Sequence, residues 1–253
     1  MELLSLDFLA PALAIAFLAA VAQGITGFGF GLVLVPLLSA VYDPKAVVVV
    51  SLTLGFLTKL PMLVYDRRFV QWRMIAPLVL AAFVGNAVGT RVILYADPAV
   101  LRLIIGATVV VLATLLLRDY RWRIRRERLA TIAVGLTSGV LTGSTSMGGP
   151  PVVLFGVNQL WAKESLRANL VAFSTLTFLF SAVLLATSGV VTREIASIDL
   201  ALLPAVAVGL VIGNHAFQRA PRALLYRAVV LFVLVTGLYG IYSSAAGLLA
   251  GGV

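Results

Sequence analysis

The 253-residue chain contains no cysteine, which excludes disulfide bonds, thiolate metal sites and cysteine nucleophiles. Histidine is almost as scarce, because His215 is the only one. Nucleophilic catalysis needs a base or a metal beside the nucleophile, and serine alone supplies neither. These absences argue against an intramembrane protease or lipid hydrolase, and the sequence predicts no catalytic residue, no metal site and no cofactor.

Acidic residues are the next scarce class, with ten Asp and Glu against nineteen Lys and Arg, for a net charge of +9. We predict that all ten lie in or beside the connections between hydrophobic segments, so that no span centre carries a carboxylate. This distribution argues against a carboxylate proton relay inside the membrane. If transport is coupled to protons, the substrate or a residue such as His215 must then carry the proton.

Hydrophobic residues, in contrast, make up 61% of the chain, and the mean hydropathy is +1.09. This composition predicts an all-α polytopic membrane protein in contact with membrane lipid. The basic residues stand in short loops between apolar runs, where they set orientation, so we do not expect nucleic acid as a partner. The first segment lacks a basic start and a small-residue cleavage pattern, and we interpret it as structure and not as a signal peptide.

The apolar runs divide into about eight segments arranged as two related halves. Residues 1–117 form the predicted first membrane repeat, 118–128 a basic cytoplasmic connection, and 129–253 the second repeat. Gly85-Asn86 in the first half matches Gly213-Asn214 in the second. The predicted segments are 8–41 with an interruption at 24–31, 46–64, 74–95, 101–117, 129–157 with an interruption at 143–151, 168–187, 200–217 and 226–247.

The two interruptions are glycine-rich polar loops without any ionised side chain. Irregular backbone at membrane depth persists only where it packs in protein or lines a wet cavity. Each loop leads into an apolar run with a proline near its start, Pro36 or Pro150, which predicts a half-helix whose N-terminus attracts an anion. Close helix packing by small residues is the alternative. The predicted substrate-binding residues are Gln23, Thr26, Gly27, Gly29, Gly31, Gly143, Ser144, Thr145, Ser146, Met147, Gly148, Gly149 and Pro150.

Four further residues are candidates for coupling or for a counter-charge to an anion. Lys59 lies near the end of its span, so its side chain either faces the cavity or extends to the headgroups. Asn86 and Asn214 match between the halves, and interhelical hydrogen bonding is their alternative role. His215 lies near a span end, where a surface role competes with proton handling.

The path of the two interrupted segments decides the relation between the halves. If both re-enter, the basic turns at 67–73, 118–128, 163–167 and 219–227 share one face, and the second half is inverted. If both cross, the turns at 163–167 and 219–227 move to the other face and the halves are parallel. The positive-inside rule favours the inverted repeat, with two loops that meet near the midplane.

These features together resemble the TauE/SafE-type sulfite exporters, also called sulfite or sulfonate permeases. The resemblance covers essentially the whole chain and rests on Gly27-Phe-Gly29-Phe-Gly31 with Pro36, on Met147-Gly-Gly-Pro-Pro-Val-Val-Leu-Phe155 and on the basic central connection. It implies a permease of the bacterial inner membrane that moves sulfite, thiosulfate or a small organosulfonate, with its substrate region at the two glycine loops.

We therefore expect a secondary transporter for a small anionic substrate, working in the direction of export. From the residues alone, the alternative is a permease or channel for another small solute or ion. The sequence leaves the substrate, the energy coupling and the oligomeric state open.

Overall fold

The computed structural model describes residues 6–117 and 127–219, and within them the chain forms α-helices joined by short turns. The predicted all-α class is confirmed, whereas the predicted span at 226–247 and most of the connection at 118–128 lie outside the described residues. The helices are α1 (Leu6–Thr26), α2 (Phe30–Ser39), α3 (Pro44–Asp66), α4 (Trp72–Tyr95), α5 (Pro98–Leu117), α6 (Glu127–Thr145), α7 (Gly149–Asn158), α8 (Lys163–Thr187) and α9 (Arg193–Arg219).

Five of these helices, α1, α3, α4, α8 and α9, are long and apolar enough to cross a membrane. On α4, Leu80, Val84 and Val88 are exposed at a spacing of four residues, which gives the helix an apolar stripe suited to contact with lipid. The protein is therefore a multi-pass membrane protein.

The starts of α3 and α5 follow from the same local sequence, an aspartate before a proline. The Asp43 carboxylate accepts a hydrogen bond from the Ala46 N–H at 2.9 Å, and Asp97 accepts one from the Ala99 N–H at 2.8 Å. The proline after each aspartate occupies the first helical position, where no N–H is needed. Both helices therefore begin within three residues of their predicted starts.

Both helix breaks are shorter than the predicted loops. The chain leaves helical geometry only at 27–29 and at 146–148, because the small residues on either side continue the helices. Pro150 lies in the first turn of α7, as predicted. The prediction for Pro36 was wrong, since α2 begins at Phe30 and places this proline in its second turn.

Glycines allow α6 to pack closely against α4. A Cβ atom at Gly139 would collide with the carbonyl oxygen of Ala82, and one at Gly143 would lie 2.5 Å from that of Asn86. Small residues at such contacts let two helical backbones approach closely. The residue numbers rise together along both helices, so α4 and α6 run in the same direction.

The contact between α1 and α9 has the same character. A Cβ atom at Gly209 would lie 2.5 Å from the carbonyl oxygen of Phe17, and one at Gly213 would collide with that of Val21. The numbers again rise together, so α1 and α9 also run in the same direction.

Helix α3 runs parallel to α9 and antiparallel to α8. Tyr65 near the end of α3 accepts a hydrogen bond from Gln218 near the end of α9 at 3.3 Å. Asp66, also at the end of α3, lies 3.4 Å from Arg167, which is near the start of α8. The turns that join α3 to α4 and α8 to α9 are short, which places each pair antiparallel.

The contacts of α8 with α4 complete this pattern. Asn169 near the start of α8 donates a hydrogen bond to Gln71, just before α4, at 3.2 Å, and Phe180 stacks on Phe83 further along with ring centroids 4.6 Å apart. Helices α4, α6 and α8 therefore run in one direction, and α1, α3 and α9 run in the other. Since α1 and α3 share a direction, α2 reverses between them, and α7 likewise reverses between α6 and α8.

Candidate substrate site at the two helix breaks

The two breaks lie far apart in the sequence and meet in the structure. A Cβ atom at Gly31 would collide with the carbonyl oxygen of Ser146, and one at Gly149 would lie 2.7 Å from the Cβ of Phe28. All four residues are buried. Residues predicted at the substrate site from two separate loops are thus brought into contact.

The first break is shaped by Gly27 and Thr26. Gly27 has a φ of +85°, in the left-handed region that glycine adopts without a steric penalty. The Thr26 hydroxyl donates to the carbonyl oxygen of Ala22 at 2.8 Å and accepts from the Gly29 N–H at 3.1 Å. Thr26 therefore holds the end of α1 and the start of α2 together.

The second break depends on Ser146, whose φ of 63° is unusual for a residue with a side chain. Its N–H donates to the carbonyl oxygen of Thr142 at 2.9 Å. Its hydroxyl forms a 2.8 Å hydrogen bond with that of Ser51 in α3. Backbone strain of this kind is concentrated at functional sites and needs support from surrounding structure. Ser51 supplies that support and was not predicted from the sequence.

The other predicted residues of the second loop bond or pack against the helices around it. The hydroxyls of Ser144 and Thr145 donate to carbonyl oxygens of their own helix at 2.7 Å and 2.8 Å. Gly148 packs against Thr142, and the side chains of Met147 and Pro150 are buried. In this structure, this part of the chain therefore fits the alternative given above, close helix packing by small residues.

Lys59, a predicted counter-charge, contacts Gln23 one turn before the first break. Its side chain is 0% exposed, so it does not extend to the membrane surface. Its ammonium group donates to the side-chain carbonyl of Gln23 at 3.3 Å and to the carbonyl oxygen of Gly55 at 3.3 Å. The group also lies 3.9 Å from the ring centroid of Phe178. Within the described part of the chain, no carboxylate forms an ion pair with Lys59.

Gln23 links this lysine to the break. It is the fourth-last residue of α1, and its amide nitrogen donates to the Thr58 hydroxyl at 2.6 Å. Its backbone carbonyl accepts the Gly27 N–H at 2.6 Å. One residue thus contacts both the turn that breaks the helix and the buried ammonium group.

The side chain of Asn86 forms three hydrogen bonds, two of them to α8. It donates to the carbonyl oxygen of Thr177 at 2.8 Å and accepts from the hydroxyls of Ser181 at 2.8 Å and Thr90 at 3.2 Å. These contacts join α4 to α8. Asn86 therefore has the interhelical role that was the alternative to coupling or counter-charge. Its counterpart Asn214 accepts a hydrogen bond from Arg167 at 2.6 Å.

The position of His215 fits its surface alternative, whereas that of Asp199 departs from its prediction. His215 is exposed near the end of α9. The prediction that every acidic residue lies at a connection was wrong for Asp199. Helix α9 begins at Arg193, earlier than predicted, and one carboxylate oxygen of Asp199 is buried without a hydrogen-bond partner among the described residues.

Arg167 is a buried cation that the sequence analysis placed only in a basic turn. It is 4% exposed, and its side-chain Cγ would lie 3.2 Å from a Cβ atom at Gly27. A cavity of about 60 Å³ adjoins the first break here and is lined by Arg167, Thr26 and Phe28, among others. Nothing in the sequence signalled this burial, because Arg167 ends a basic turn directly before the predicted span at 168–187.

The chain matches the family model described as "Sulfite exporter TauE/SafE" over residues 12–240, which is most of its length. No curated protein and no solved structure matches it at a significant level.

Proposed function

Because this chain belongs to the sulfite exporter TauE/SafE family, we propose that it is a secondary permease that exports sulfite or a small organosulfonate across the bacterial inner membrane. The family is one of membrane transporters and not of enzymes. The small anionic substrate binds where the first helix break meets Gln23 and Lys59.

The observation that carries this proposal is the buried ammonium group of Lys59 beside the break. Removing a charge from water is costly unless another charge or hydrogen bonds compensate for it. Lys59 has two hydrogen bonds longer than 3 Å and an aromatic face, with no anion among the described residues. An arriving anion would supply the missing compensation, which gives the site a reason to prefer anions over cations and neutral solutes.

Peptide dipoles at the break add to this preference. The N-terminus of α2 carries a partial positive charge, and its first turn contains no proline. The first turn of α7 contains Pro150 and Pro151, which have no N–H to offer. The first break is therefore the better anion site of the two, and the second contributes mainly by packing against it.

We also propose that the two halves form an inverted repeat of four hydrophobic segments each. The helix directions support this arrangement, because α1, α3 and α4 run opposite to their counterparts α6, α8 and α9. The close packing of α1 on α9 matches that of α6 on α4. An inverted repeat with broken helices is a common transporter design, with the substrate held where the two breaks meet.

The described basic residues favour one orientation in the membrane. Arg67, Arg68, Arg73, Arg128, Lys163 and Arg219 lie on one face, which we call the basic face. Contacts between Gln71 and Asn169 and between Lys163 and Phe217 hold three of its elements together. The positive-inside rule assigns this face to the cytoplasm.

A labelling experiment tests this topology, and the absence of cysteine makes it straightforward. We expect R68C and E164C to react with a membrane-impermeant maleimide only from the cytoplasmic side. K45C and Y95C should react only from the outside, because they lie at the opposite ends of α3 and α4. Labelling of R68C and E164C from opposite sides would instead support crossing segments and parallel halves.

Flux measurements in proteoliposomes test the transport function itself. We expect movement of sulfite or of a small sulfonate such as methanesulfonate, and none of a monovalent cation. An inside-negative membrane potential should accelerate anion exit, since it contributes about 2.3 kcal/mol per charge per 100 mV. Flux of the cation alone would contradict the proposal, and anion flux insensitive to both potential and pH gradient would contradict active export.

A further inference from the structure

We propose that Arg167 and Lys163 form a second anion-binding site, which receives the oxyanion at the basic face before it reaches Lys59. This inference rests on the proposed permease function for its role, whereas the binding site itself is argued from geometry. The site is the cavity of about 60 Å³ beside the first break.

The guanidinium group of Arg167 is held in place by three contacts. Its Nε lies 3.4 Å from a carboxylate oxygen of Asp66, and its Nη2 donates to the side-chain oxygen of Asn214 at 2.6 Å. The group also lies 4.1 Å from the ring centroid of Phe217. The remaining nitrogen, Nη1, hydrogen-bonds to no residue in the described part of the chain. A buried guanidinium thus keeps one pair of donors for a ligand.

Lys163 brings a second positive charge to the same aromatic ring. Its ammonium group lies 4.2 Å from the ring centroid of Phe217 and donates to the carbonyl oxygen of the same residue at 3.4 Å. Both Lys163 and Arg167 line the cavity. With Asp66 counted, the cluster has one excess positive charge, so an anion is the ligand that it would attract.

The volume of the cavity suits a small anion. A volume of about 60 Å³ holds roughly four water molecules, which is the space of a small oxyanion and little more. Apolar side chains of Val153, Val157 and Leu170 form its other walls. We therefore assign this site to a small oxyanion such as sulfite or methanesulfonate.

The cavity also adjoins the predicted substrate site. Thr26 and Phe28 of the first break line its inner end, and Lys163 lies at the first residue of α8 on the basic face. Phe28 packs on Gly149 and separates the cavity from the second break. The second site and the Lys59 site thus both adjoin the first break.

A cysteine reporter in the cavity tests the site without any need for transport. V157C places one thiol on the cavity wall of an otherwise cysteine-free chain, and E164C places one at an exposed position of the same face. We expect methanesulfonate to slow maleimide labelling of V157C by about fivefold or more, as an opposite-charge ligand held by guanidinium hydrogen bonds should. Chloride at the same ionic strength should not, and E164C should respond to neither anion.

Substitutions in the V157C background identify the cations responsible. R167K keeps the charge that faces Asp66 but loses the forked donors, so we expect the half-protecting methanesulfonate concentration to rise by about tenfold. K163Q removes the charge of a half-buried residue and should raise this concentration by about threefold or more. Failure of methanesulfonate to protect V157C, or protection in both substituted proteins as strong as in V157C alone, would overturn the proposal.

The outcomes also separate this site from the permease function. Protection of V157C in a protein that moves no anion would leave the second site in place and contradict only the proposed transport. Anion flux in a protein whose V157C is never protected would contradict only the second site.

Discussion

Replacing Lys59 by methionine should lower anion flux by about 100-fold while the protein stays folded. Truncating one partner of a buried charge interaction costs about 2–5 kcal/mol, and each 1.4 kcal/mol is a factor of ten in affinity. Methionine fills nearly the same volume as lysine, and it removes a charge that no described carboxylate compensates. We therefore expect the K59M protein to unfold at an equal or higher temperature than the unsubstituted protein.

The K45M substitution is the matched control, because Lys45 lies in the same helix but at its partly exposed first turn. Its flux should remain within about twofold of that of the unsubstituted protein, since exposed charges contribute little. Flux of the two anions and thermal unfolding would be measured on the same preparations. Full transport by K59M would show that the anion does not bind at Lys59. A large fall in unfolding temperature would show instead that this lysine stabilises the fold.

The second large effect is expected for G31A, at the contact between the two breaks. The added methyl group would collide with the backbone carbonyl of Ser146, which cannot move aside as a flexible side chain would. Overpacking of this kind costs about 1–3 kcal/mol. We expect a fall of several degrees in unfolding temperature, roughly as such energies imply for a chain of this size, together with loss of flux.

The control for this prediction lies in the same break. An alanine Cβ at Gly29 would lie 3.2 Å from the Cβ of Ala22 and 3.3 Å from the Thr26 hydroxyl, so small shifts accommodate it. Gly29 also has a φ of −65°, which any residue adopts. G29A should therefore unfold within a few degrees of the unsubstituted protein. Equal stability of G31A and G29A would show that the two breaks are not packed as the structure places them.

The glycine loops illustrate how far local sequence determined this structure. Glycine, proline and hydroxyl residues inside apolar runs can satisfy an interrupted backbone, so the positions of both breaks followed from the sequence. Their lengths did not, because Gly24 and Gly143 lie inside helices that close packing on α9 and α4 stabilises. A loop and a small-residue helix contact have the same composition, and only the packing partner distinguishes them.

The charged residues show the other limit of sequence reasoning. Lys59, Arg167 and Asp199 each lie within one or two turns of a helix end, where a charged side chain can be buried or can reach the surface, and the local sequence does not distinguish the two. Their burial depends on helices contributed by distant parts of the chain: α1 and α8 cover Lys59, and α9 covers Arg167.

The sequence by itself determined the membrane class, the nearly complete set of helices and the two interrupted elements, because hydropathy and backbone chemistry act along the chain. Only the tertiary structure decided that the two breaks touch and that a lysine without a described acidic partner adjoins the first of them. Such contacts join residues from different helices, and their free energy exists only once those helices have packed.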